Sequence, residues 1–386
     1  MRAICLPRRE VAVLIGLRRP HQSRWDAEDS LEELAQLAIS AGAEPAFRVL
    51  QERFLPNPRT LIGPGKAEEV RVICEEGVDL VIFDDDLTGS QQRNLEATLG
   101  RKVVDRTGLI LDIFAQRARS REGKLQVELA QLKYLLPRLT GHGGELSRLG
   151  GGIGTRGPGE TQLEVDRRRI RRRIVKIEEE LEKVRRHRAL LRRHRQKRAL
   201  RTAAVVGYTN AGKSSLLNAL THAALPVADT FFATLDPTLR KVIVPGGRDI
   251  LLSDTVGFIR KLPHQLVEAF TATLEEVRAS DLLLHVIDIS HPDWQNQSQA
   301  VMAVLGELGA AAKPLISVYN KVDKLPHAEA IAFLARRPRS VVVSARTGAG
   351  LDDLKHAMAE TLKTVEDVTA VARDRSAGAG DERQRP

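Results

Sequence analysis

The sequence has little cysteine and no long apolar run. Its 386 residues include two cysteines, Cys5 and Cys74, which are too few for a disulfide framework and lack zinc-site spacing. No run of about 18 apolar residues suggests a membrane span. No apolar segment follows the charged N-terminus, as it would in a signal peptide. The length allows two or three domains, and we expect a soluble protein of the reducing cytoplasm.

Positive charge is concentrated in one segment. The chain carries a net charge of +10, and residues 166–201 alone contain 17 Lys/Arg against 5 Asp/Glu. The rest of the chain is therefore slightly acidic. Ion pairs between residues three or four apart on a helix need similar numbers of both charges, and this segment has far more positive than negative residues. It favours a local contact with a polyanion such as RNA, and a solvated helix face is the plainer alternative.

Residues 10–105, within the predicted domain 1–110, alternate strand-like and helix-like stretches. Apolar and β-branched runs predict the strands, and apolar spacing near 3.6 residues predicts the helices. This alternation is typical of an α/β domain with a mainly parallel sheet. The predicted strands are residues 11–17, 46–49, 80–83 and 102–104, and the predicted helices are residues 29–41, 66–75 and 91–99.

Residues 111–200 change to long helical patterns. One apolar seam contains Leu125, Leu129, Leu132 and Leu136, and a second contains Ile170, Ile174, Ile177, Leu181 and Val184. Two such helices joined by a loop make an antiparallel helical hairpin. Thr161 and Glu164 fit a capping box at the start of the second helix. If it runs to Arg198, that helix is roughly 55 Å long, with its arginines facing outward.

The loop between these helices, residues 141–159, is rich in glycine. Gly152, Gly154 and Gly157 match the spacing of a dinucleotide fingerprint. No strand precedes them, and Pro158 follows before the helix begins, so we do not expect a dinucleotide site. Loops of this length are usually functional or disordered. Whether this one only connects the helices or makes a contact stays open.

Residues 207–214, Gly-Tyr-Thr-Asn-Ala-Gly-Lys-Ser, are the strongest signal in the chain. A strand-like stretch precedes them and a helical stretch follows, which is the context of a phosphate-binding loop. Backbone N–H groups and the helix N-terminus would hold the phosphates. Lys213 would reach the β- and γ-phosphates, and the Ser214 hydroxyl would bind Mg²⁺.

Three further positions fit the same phosphate site. Thr234 suits a segment that closes over Mg²⁺ and the γ-phosphate, and its position favours it over Thr230. Asp254 ends a strand-like stretch and would hold Mg²⁺ through water. The Gly257 N–H would contact the γ-phosphate, because glycine allows close backbone approach.

Residues 320–323, Asn-Lys-Val-Asp, follow another strand-like stretch and would recognise the base. The Asp323 carboxylate can accept hydrogen bonds from N1–H and the 2-amino group of guanine, a donor pair that adenine lacks. Residues 344–346, Ser-Ala-Arg, would complete the pocket with a backbone N–H near the guanine O6. The order of these motifs predicts an enzyme that binds GTP and GDP and hydrolyses GTP.

The residue that follows Gly257 differs from the glutamine of Ras-like GTPases. Phe258 can neither orient nor polarise water, so we expect slow intrinsic hydrolysis that a partner accelerates. Asn210 stands where some GTPases use an asparagine to hold a monovalent cation against the phosphates. Stimulation by K⁺ is therefore a hypothesis, which equal rates in K⁺ and Na⁺ would contradict.

Four segments resemble the HflX family, translation-factor-class GTPases related to the Obg group. They are residues 57–66, 150–164, 232–238 and 254–263. The resemblance covers residues 10–365. It implies binding to the 50S subunit and the 70S ribosome, with rRNA contacts, and GTP-dependent splitting or rescue of stalled or idle ribosomes under stress. It also implies that the loop of the hairpin reaches toward the peptidyl transferase centre.

The chain departs from the family pattern at two places. Some members carry a folded C-terminal domain, whereas residues 366–386 are polar and we expect them to be disordered. Arg346 stands where many GTPases have lysine, a mild change because that motif works mainly through its backbone.

The prediction is thus an α/β domain at 1–110, a basic helical hairpin at 111–200, a GTP-binding domain at 201–365 and a tail at 366–386, in a monomer. The predicted catalytic residues are Lys213, Thr234 and Gly257, and the predicted metal ligands are Ser214, Thr234 and Asp254. The predicted nucleotide contacts are Gly207, Tyr208, Thr209, Asn210, Ala211, Gly212, Lys213, Ser214, Ser215, Phe232, Ala233, Thr234, Asp254, Thr255, Val256, Gly257, Asn320, Lys321, Asp323, Ser344, Ala345 and Arg346. The predicted RNA contacts are Gly154, Thr155, Arg156, Arg167, Arg168, Arg171 and Arg172.

Two other functions compete with a ribosome-acting GTPase. One is a GTP-switched adaptor, in which the hairpin seams recruit a partner helix and the arginines only solubilise. The other is an RNA-modifying enzyme driven by GTP, for which no catalytic cysteine or cofactor motif is visible. A steep loss of affinity with salt would favour RNA over the adaptor.

Overall fold

The computed structural model describes residues 9–139, 162–197, 200–221, 231–232, 234–235, 238–261, 271–325, 334 and 336–364. The chain divides into two compact units, the first formed by residues 1–184 and 263–269 and the second by the remainder. Within the described residues, no helix is long and apolar enough to cross a membrane. Predictions for Gly154, Thr155, Arg156, Thr161, Ala233 and the tail lie outside the described residues.

The first unit contains a four-stranded sheet in the order β2-β1-β3-β4, counted over the described residues. All its neighbouring strands are parallel, which confirms the predicted α/β arrangement. The strands are β1 (Val11–Arg18), β2 (Glu44–Glu52), β3 (Leu80–Phe83) and β4 (Lys102–Asp105), and the helices between them are α1 (Arg24–Ala41), α2 (Pro64–Glu75) and α3 (Gly89–Leu99).

The helices of this unit begin at side-chain caps. Ser23 and Asp26 form a capping box at the start of α1, and Thr88 and Gln91 form one at the start of α3. Each pair satisfies N–H groups that the first helical turn leaves free. Both helices therefore begin a few residues before their predicted starts.

A further helix, α4 (Arg106–Arg117), follows β4 directly and was not predicted. The Asp105 side chain caps it by accepting from the Gly108 N–H at 2.8 Å. The boundary expected between residues 110 and 111 falls inside this helix.

The predicted hairpin helices are α5 (Arg121–Leu135) and α6 (Gln162–Lys197). Their apolar seams meet in one cluster, in which Leu125, Leu129, Ile177 and Leu181 are buried. Two ion pairs cross from α5 to α6, Arg121 to Glu180 and Glu128 to Arg173. Because the later residue of α5 pairs with the earlier residue of α6, the two helices are antiparallel, as predicted.

The second unit contains a six-stranded sheet in the order β10-β9-β8-β5-β7-β6, counted over the described residues. It is parallel except for β6, which is antiparallel to β7. The strands are β5 (Arg201–Gly207), β6 (Leu239–Val244), β7 (Arg248–Asp254), β8 (Leu282–Asp288), β9 (Leu315–Asn320) and β10 (Ser340–Val342). The helices are α7 (Lys213–Thr221), α8 (Thr271–Ala279), α9 (Trp294–Glu307) and α10 (residues 351–364).

The core of this unit is continuous across the sheet and two of its helices. Apolar side chains of β5, β8 and β9 are almost fully buried against those of α7 and α10. The parallel strands end at one edge, so the residues that follow β5, β7 and β9 come together there. In open α/β sheets, ligands bind outside the carboxyl ends of the parallel strands, which is this edge.

Candidate nucleotide-binding site

A cleft of about 390 Å³ opens at the carboxyl edge of the second sheet. The chain enters it from β5, turns through residues 207–214 and leaves along α7, which begins at Lys213. The predicted site residues that line the cleft are Thr209, Asn210, Gly212, Lys213, Ser214, Ser215, Phe232, Thr234, Thr255, Gly257, Asn320, Lys321, Asp323, Ala345 and Arg346. Sequence segments more than 130 residues apart are thus brought to one place.

The turn before α7 requires glycine. Gly212 has a φ of +89°, and a Cβ added there would lie 2.3 Å from the Nδ2 atom of Asn320. That same Nδ2 donates to the Ala211 carbonyl at 2.9 Å. The Lys321 ammonium donates to the Asn210 carbonyl at 2.7 Å. Residues predicted to recognise the base therefore also hold the phosphate-binding loop in shape.

Lys213 is buried at the floor of this loop. Its Nζ donates to the Tyr208 carbonyl at 2.7 Å. Burial lowers the pKa of this lysine to about 8, although the Asp254 carboxylate opposes the shift. Burying a cation is unfavourable without compensating charge, so an anion in the cleft would stabilise the charged form.

Asp254 and two hydroxyl groups converge beside Lys213. The Oδ2 atom of Asp254 accepts from Ser214 Oγ and from Thr234 Oγ1, each at 2.9 Å. The two hydroxyl oxygens are themselves 2.9 Å apart. Burial raises the pKa of Asp254, and Lys213 and these hydrogen bonds pull it back.

These three side chains form a set of oxygen donors, with one carboxylate. Oxygen donors of this kind suit a hard cation such as Mg²⁺, which is commonly held by one or two carboxylates together with substrate phosphates. The donor chemistry therefore fits magnesium.

The opposite end of the cleft carries Asp323. Its Oδ1 atom accepts from Ser344 Oγ at 2.7 Å, and this hydrogen bond lowers the pKa of the carboxyl group. The Arg346 guanidinium lies 3.9 Å from the other carboxylate oxygen. The Ala345 N–H donates to Asn320 Oδ1 at 3.0 Å. Asp323 is thus an ionised hydrogen-bond acceptor, at an end of the cleft whose side chains are already held by hydrogen bonds within the protein.

Gly257 and Phe258 lie along the phosphate-binding loop. A Cβ added to Gly257 would lie 3.0 Å from the Thr209 Cα and 2.9 Å from Lys213 Nζ, so the close approach of these two segments favours glycine. Phe258 is 2% exposed. Its N–H donates to the Gly207 carbonyl, and its carbonyl accepts from the Thr209 N–H at 2.7 Å. The aromatic ring is therefore fixed in the protein interior.

Asp288 supports the site and was not among the predicted residues. Asp288, the last residue of β8, lies 2.5 Å from the Lys321 ammonium and holds it over the Asn210 carbonyl. The only signal available was its place at the end of a strand, which acidic turn residues share. Phe232 and Thr234 are the described residues of their segment that line the cleft, and both are partly or fully buried.

The described residues predicted to contact RNA lie on α6, in the first unit. Arg168, Arg171 and Arg172 are exposed, whereas Arg167 is partly buried. Arg173, the next in the series, is engaged by Glu128 through two bonds of 2.6 and 2.7 Å.

Comparisons with known proteins cover both units. Three family models match in succession: "GTP-binding GTPase N-terminal" over 28–115, "GTP-binding GTPase Middle Region" over 117–195 and "50S ribosome-binding GTPase" over 202–321. A protein named GTPase HflX from Caldanaerobacter subterraneus subsp. tengcongensis is 55% identical over 92% of this chain and 81% of its own length. The chain belongs to the HflX family of GTPases.

Other relatives agree with this membership. GTPase HflX from Escherichia coli K12 is 49% identical over 87% of this chain and 80% of its own length. The crystal structure of SsGBP in complex with GDP has a TM-score of 0.50 and 26% identity, and it covers 93% of this chain and 99% of that chain. Together with the GTPase family model over the second unit, these findings make the chain a GTP-hydrolysing enzyme of the HflX family.

Proposed function

We propose that the cleft of the second unit binds GTP and GDP with Mg²⁺, and that the enzyme couples this binding to action on the ribosome. The observation that carries the nucleotide site is the convergence of Ser214, Thr234 and Asp254 within 2.9 Å beside the buried Lys213. The three oxygen donors would hold a metal ion, and Lys213 supplies a buried positive charge at the end of the same phosphate-binding loop. Together they suit a polyphosphate ligand.

In this proposal, Lys213 and the loop N–H groups hold the β- and γ-phosphates. Ser214, Thr234 and Asp254 would hold Mg²⁺, which neutralises the charge that develops on the phosphates. Asp323 would accept from N1–H and the 2-amino group of guanine. The hydrogen bond that Asp323 accepts from Ser344 favours the ionised carboxylate and fixes its orientation in the cleft. Adenine would leave this carboxylate without a donor, which selects guanine.

Lys213, Thr234 and the Gly257 N–H would contact the γ-phosphate during hydrolysis. Phe258 cannot reach the attacking water, so the intrinsic rate is expected to be slow. Asn210 lines the cleft with a φ of +59°, where its side chain could help to hold K⁺ against the phosphates. Faster turnover in K⁺ than in Na⁺ is the corresponding expectation.

The proposed partners are the 50S subunit and the 70S ribosome, contacted through rRNA. The match to a family model described as "50S ribosome-binding GTPase" supports this, as does the line of exposed arginines on α6. Residues 154–156, which lie between α5 and α6 in the sequence, would extend the RNA contact. The proposed outcome is the splitting or rescue of stalled or idle ribosomes under stress, by a cytoplasmic monomer.

The test is GTP turnover with and without purified 50S and 70S particles, at two salt concentrations. Strong stimulation that weakens with salt would support the ribosomal function. A variant with Arg167, Arg168, Arg171 and Arg172 changed to glutamate should lose the stimulation and keep its basal rate. Normal nucleotide binding without any stimulation would instead favour a GTP-switched adaptor.

A further inference from the structure

A buried hydroxyl at the phosphate end of the cleft forms no hydrogen bond within the part of the chain that the structure describes. Thr209 is 6% exposed, and its Oγ1 makes no hydrogen bond to any described residue. Buried hydroxyls are normally hydrogen-bonded, because an unpaired one has given up its bonds to water. Three other hydroxyls of the cleft do bond to protein oxygens, namely those of Ser214, Thr234 and Thr255.

The backbone of Thr209 is fixed in place. Its N–H donates to the Phe258 carbonyl at 2.7 Å, and the Phe258 N–H donates to the Gly207 carbonyl at 3.1 Å. These two bonds hold residues 207–209 alongside residues 257–258. The hydroxyl can therefore change direction only by rotation about the Cα–Cβ bond of Thr209.

Thr209 borders the same space as Lys213 and Gly257. A Cβ placed on Gly257 would lie 2.9 Å from Thr209 Cγ2 and 2.9 Å from Lys213 Nζ. A rotation of about 120° around the Cα–Cβ bond, from one staggered rotamer to the next, brings Oγ1 to the place of Cγ2 and moves Cγ2 to the place of the Cβ hydrogen. The hydroxyl can thus face the space between the lysine ammonium and the Gly257 backbone, where the γ-phosphate lies in the proposed function.

This space lacks the water-positioning group of Ras-like GTPases. The residue in the corresponding position is Phe258, whose side chain is buried and apolar. A threonine hydroxyl can accept a hydrogen bond from water and donate one to a phosphate oxygen at the same time. Thr209 therefore has the chemistry that Phe258 lacks, on a segment that is bonded to Phe258.

We propose that the Thr209 hydroxyl bonds to the attacking water and to the γ-phosphate, and so holds that water in line for hydrolysis. The proposal rests on the nucleotide site proposed above. The water oxygen forms a bond to the γ-phosphorus, and the bond from this phosphorus to the β–γ bridging oxygen breaks. GDP and phosphate leave, and the proton lost by the water passes to the phosphate. Thr209 keeps its own proton overall.

The test compares Thr209→Val, which keeps the shape of the side chain without its hydroxyl, with Thr209→Ser, which keeps the hydroxyl. Single-turnover GTP hydrolysis is measured on the full chain, together with the affinity for GDP and for a non-hydrolysable GTP analogue. We expect the valine variant to hydrolyse at least about tenfold more slowly, with both affinities within about threefold of the native values. The serine variant should stay within about threefold of the native rate.

Thr221→Val is the matched control, because this threonine lies at the end of α7 and bonds to the Leu217 carbonyl. It should hydrolyse GTP at the native rate. A native rate in Thr209→Val would overturn the proposal, and so would a loss of analogue affinity as large as the loss of rate. Failure of the nucleotide site itself would be recognised separately, as unchanged GDP affinity in Lys213→Ala.

Discussion

At the scale of single residues, Asp323 is expected to set the choice of base. Xanthine carries a carbonyl where guanine carries its 2-amino group, so an amide that donates at this position should favour xanthine. We predict that Asp323→Asn lowers the affinity for GDP by about 100-fold, equivalent to roughly 2.7 kcal/mol, and raises the affinity for XDP. Titration of both nucleotides against the purified variant would measure this.

Asp352→Asn provides the control for this change, because Asp352 is an exposed aspartate of the same unit, on α10. It should leave both affinities unaltered. If Asp323→Asn bound GDP as tightly as the native chain, Asp323 would not be the group that recognises guanine, and the assignment of this end of the cleft would be wrong.

His285 is expected to make the stability of the second unit depend on pH. It is 2% exposed on β8, and burial, with a smaller effect of Lys213, lowers its pKa to about 4 from a usual 6.5. Between these values the unfolded chain binds the proton and the folded chain does not. The free energy of unfolding should therefore fall by about 3 kcal/mol as the pH is lowered from 6.5 to 4.

The measurement uses Trp294 fluorescence during urea unfolding in a Trp25→Phe background, since these are the two tryptophans of the chain. His285→Gln should flatten the pH dependence between 4 and 6.5. The exposed His356→Gln, in the same unit, should retain it. Equal slopes in the native chain and in His285→Gln would show that the dependence arises elsewhere.

At the scale of elements, the contact between α5 and α6 depends on a small apolar seam. Ile177 is fully buried in it, whereas Val175, two residues earlier on the other side of the same helix, is 55% exposed. We predict that Ile177→Ala lowers the stability of the first unit by about 2–5 kcal/mol, because it leaves a cavity. Val175→Ala should change the stability by less than about 0.5 kcal/mol.

Urea unfolding of the first unit, followed by Trp25 fluorescence in a Trp294→Phe background, would measure both changes. The Glu128–Arg173 pair flanks the seam with about 40% exposure of each side chain, so Glu128→Gln should cost about 1 kcal/mol or less. A larger loss from Glu128→Gln than from Ile177→Ala would mean that charge, rather than apolar packing, holds the two helices together.

Elements with local signals were predictable, and those fixed by tertiary contacts were not. The phosphate-binding loop and the hairpin seams follow from spacing along the chain. Helix α4 was missed because it is buried almost all round, from Leu109 to Phe114, and so lacks the apolar period of a surface helix. Its Arg106 is buried against Glu33 and Asp84, a network that joins distant segments and leaves no local pattern.

The site shows the same division. Lys213, Asp254 and Asp323 could be identified because each stands in a short motif at a strand end. Two other features depend on which strands are neighbours and on how side chains are oriented. They are the support of Lys321 by Asp288 and the Thr209 hydroxyl, which bonds to none of the described residues. No spacing along one segment carries that information.

At the scale of the whole molecule, the charge is divided unevenly between segments. Residues 166–201 carry 17 Lys/Arg against 5 Asp/Glu in a chain whose net charge is +10. If these arginines lie on rRNA phosphates, as the proposed function requires, they displace counterions from the RNA, and the affinity for 50S particles should fall steeply with salt. Arginines elsewhere on the surface should contribute far less to this slope.

We therefore predict that changing Arg167, Arg168, Arg171 and Arg172 to glutamine reduces the slope of log affinity against log salt concentration by up to about 3, at roughly 0.7–0.9 per phosphate contact. Co-sedimentation with 50S particles over a series of KCl concentrations would measure it.

The control removes the same charge from the sheet-containing region, at Arg24, Arg48, Arg71 and Arg101. Long-range attraction depends on total charge, so its loss would reduce the salt slope equally in both variants. Direct phosphate contacts would reduce the slope only in the α6 variant. Equal slopes in the two variants would therefore place the RNA contact away from these four arginines.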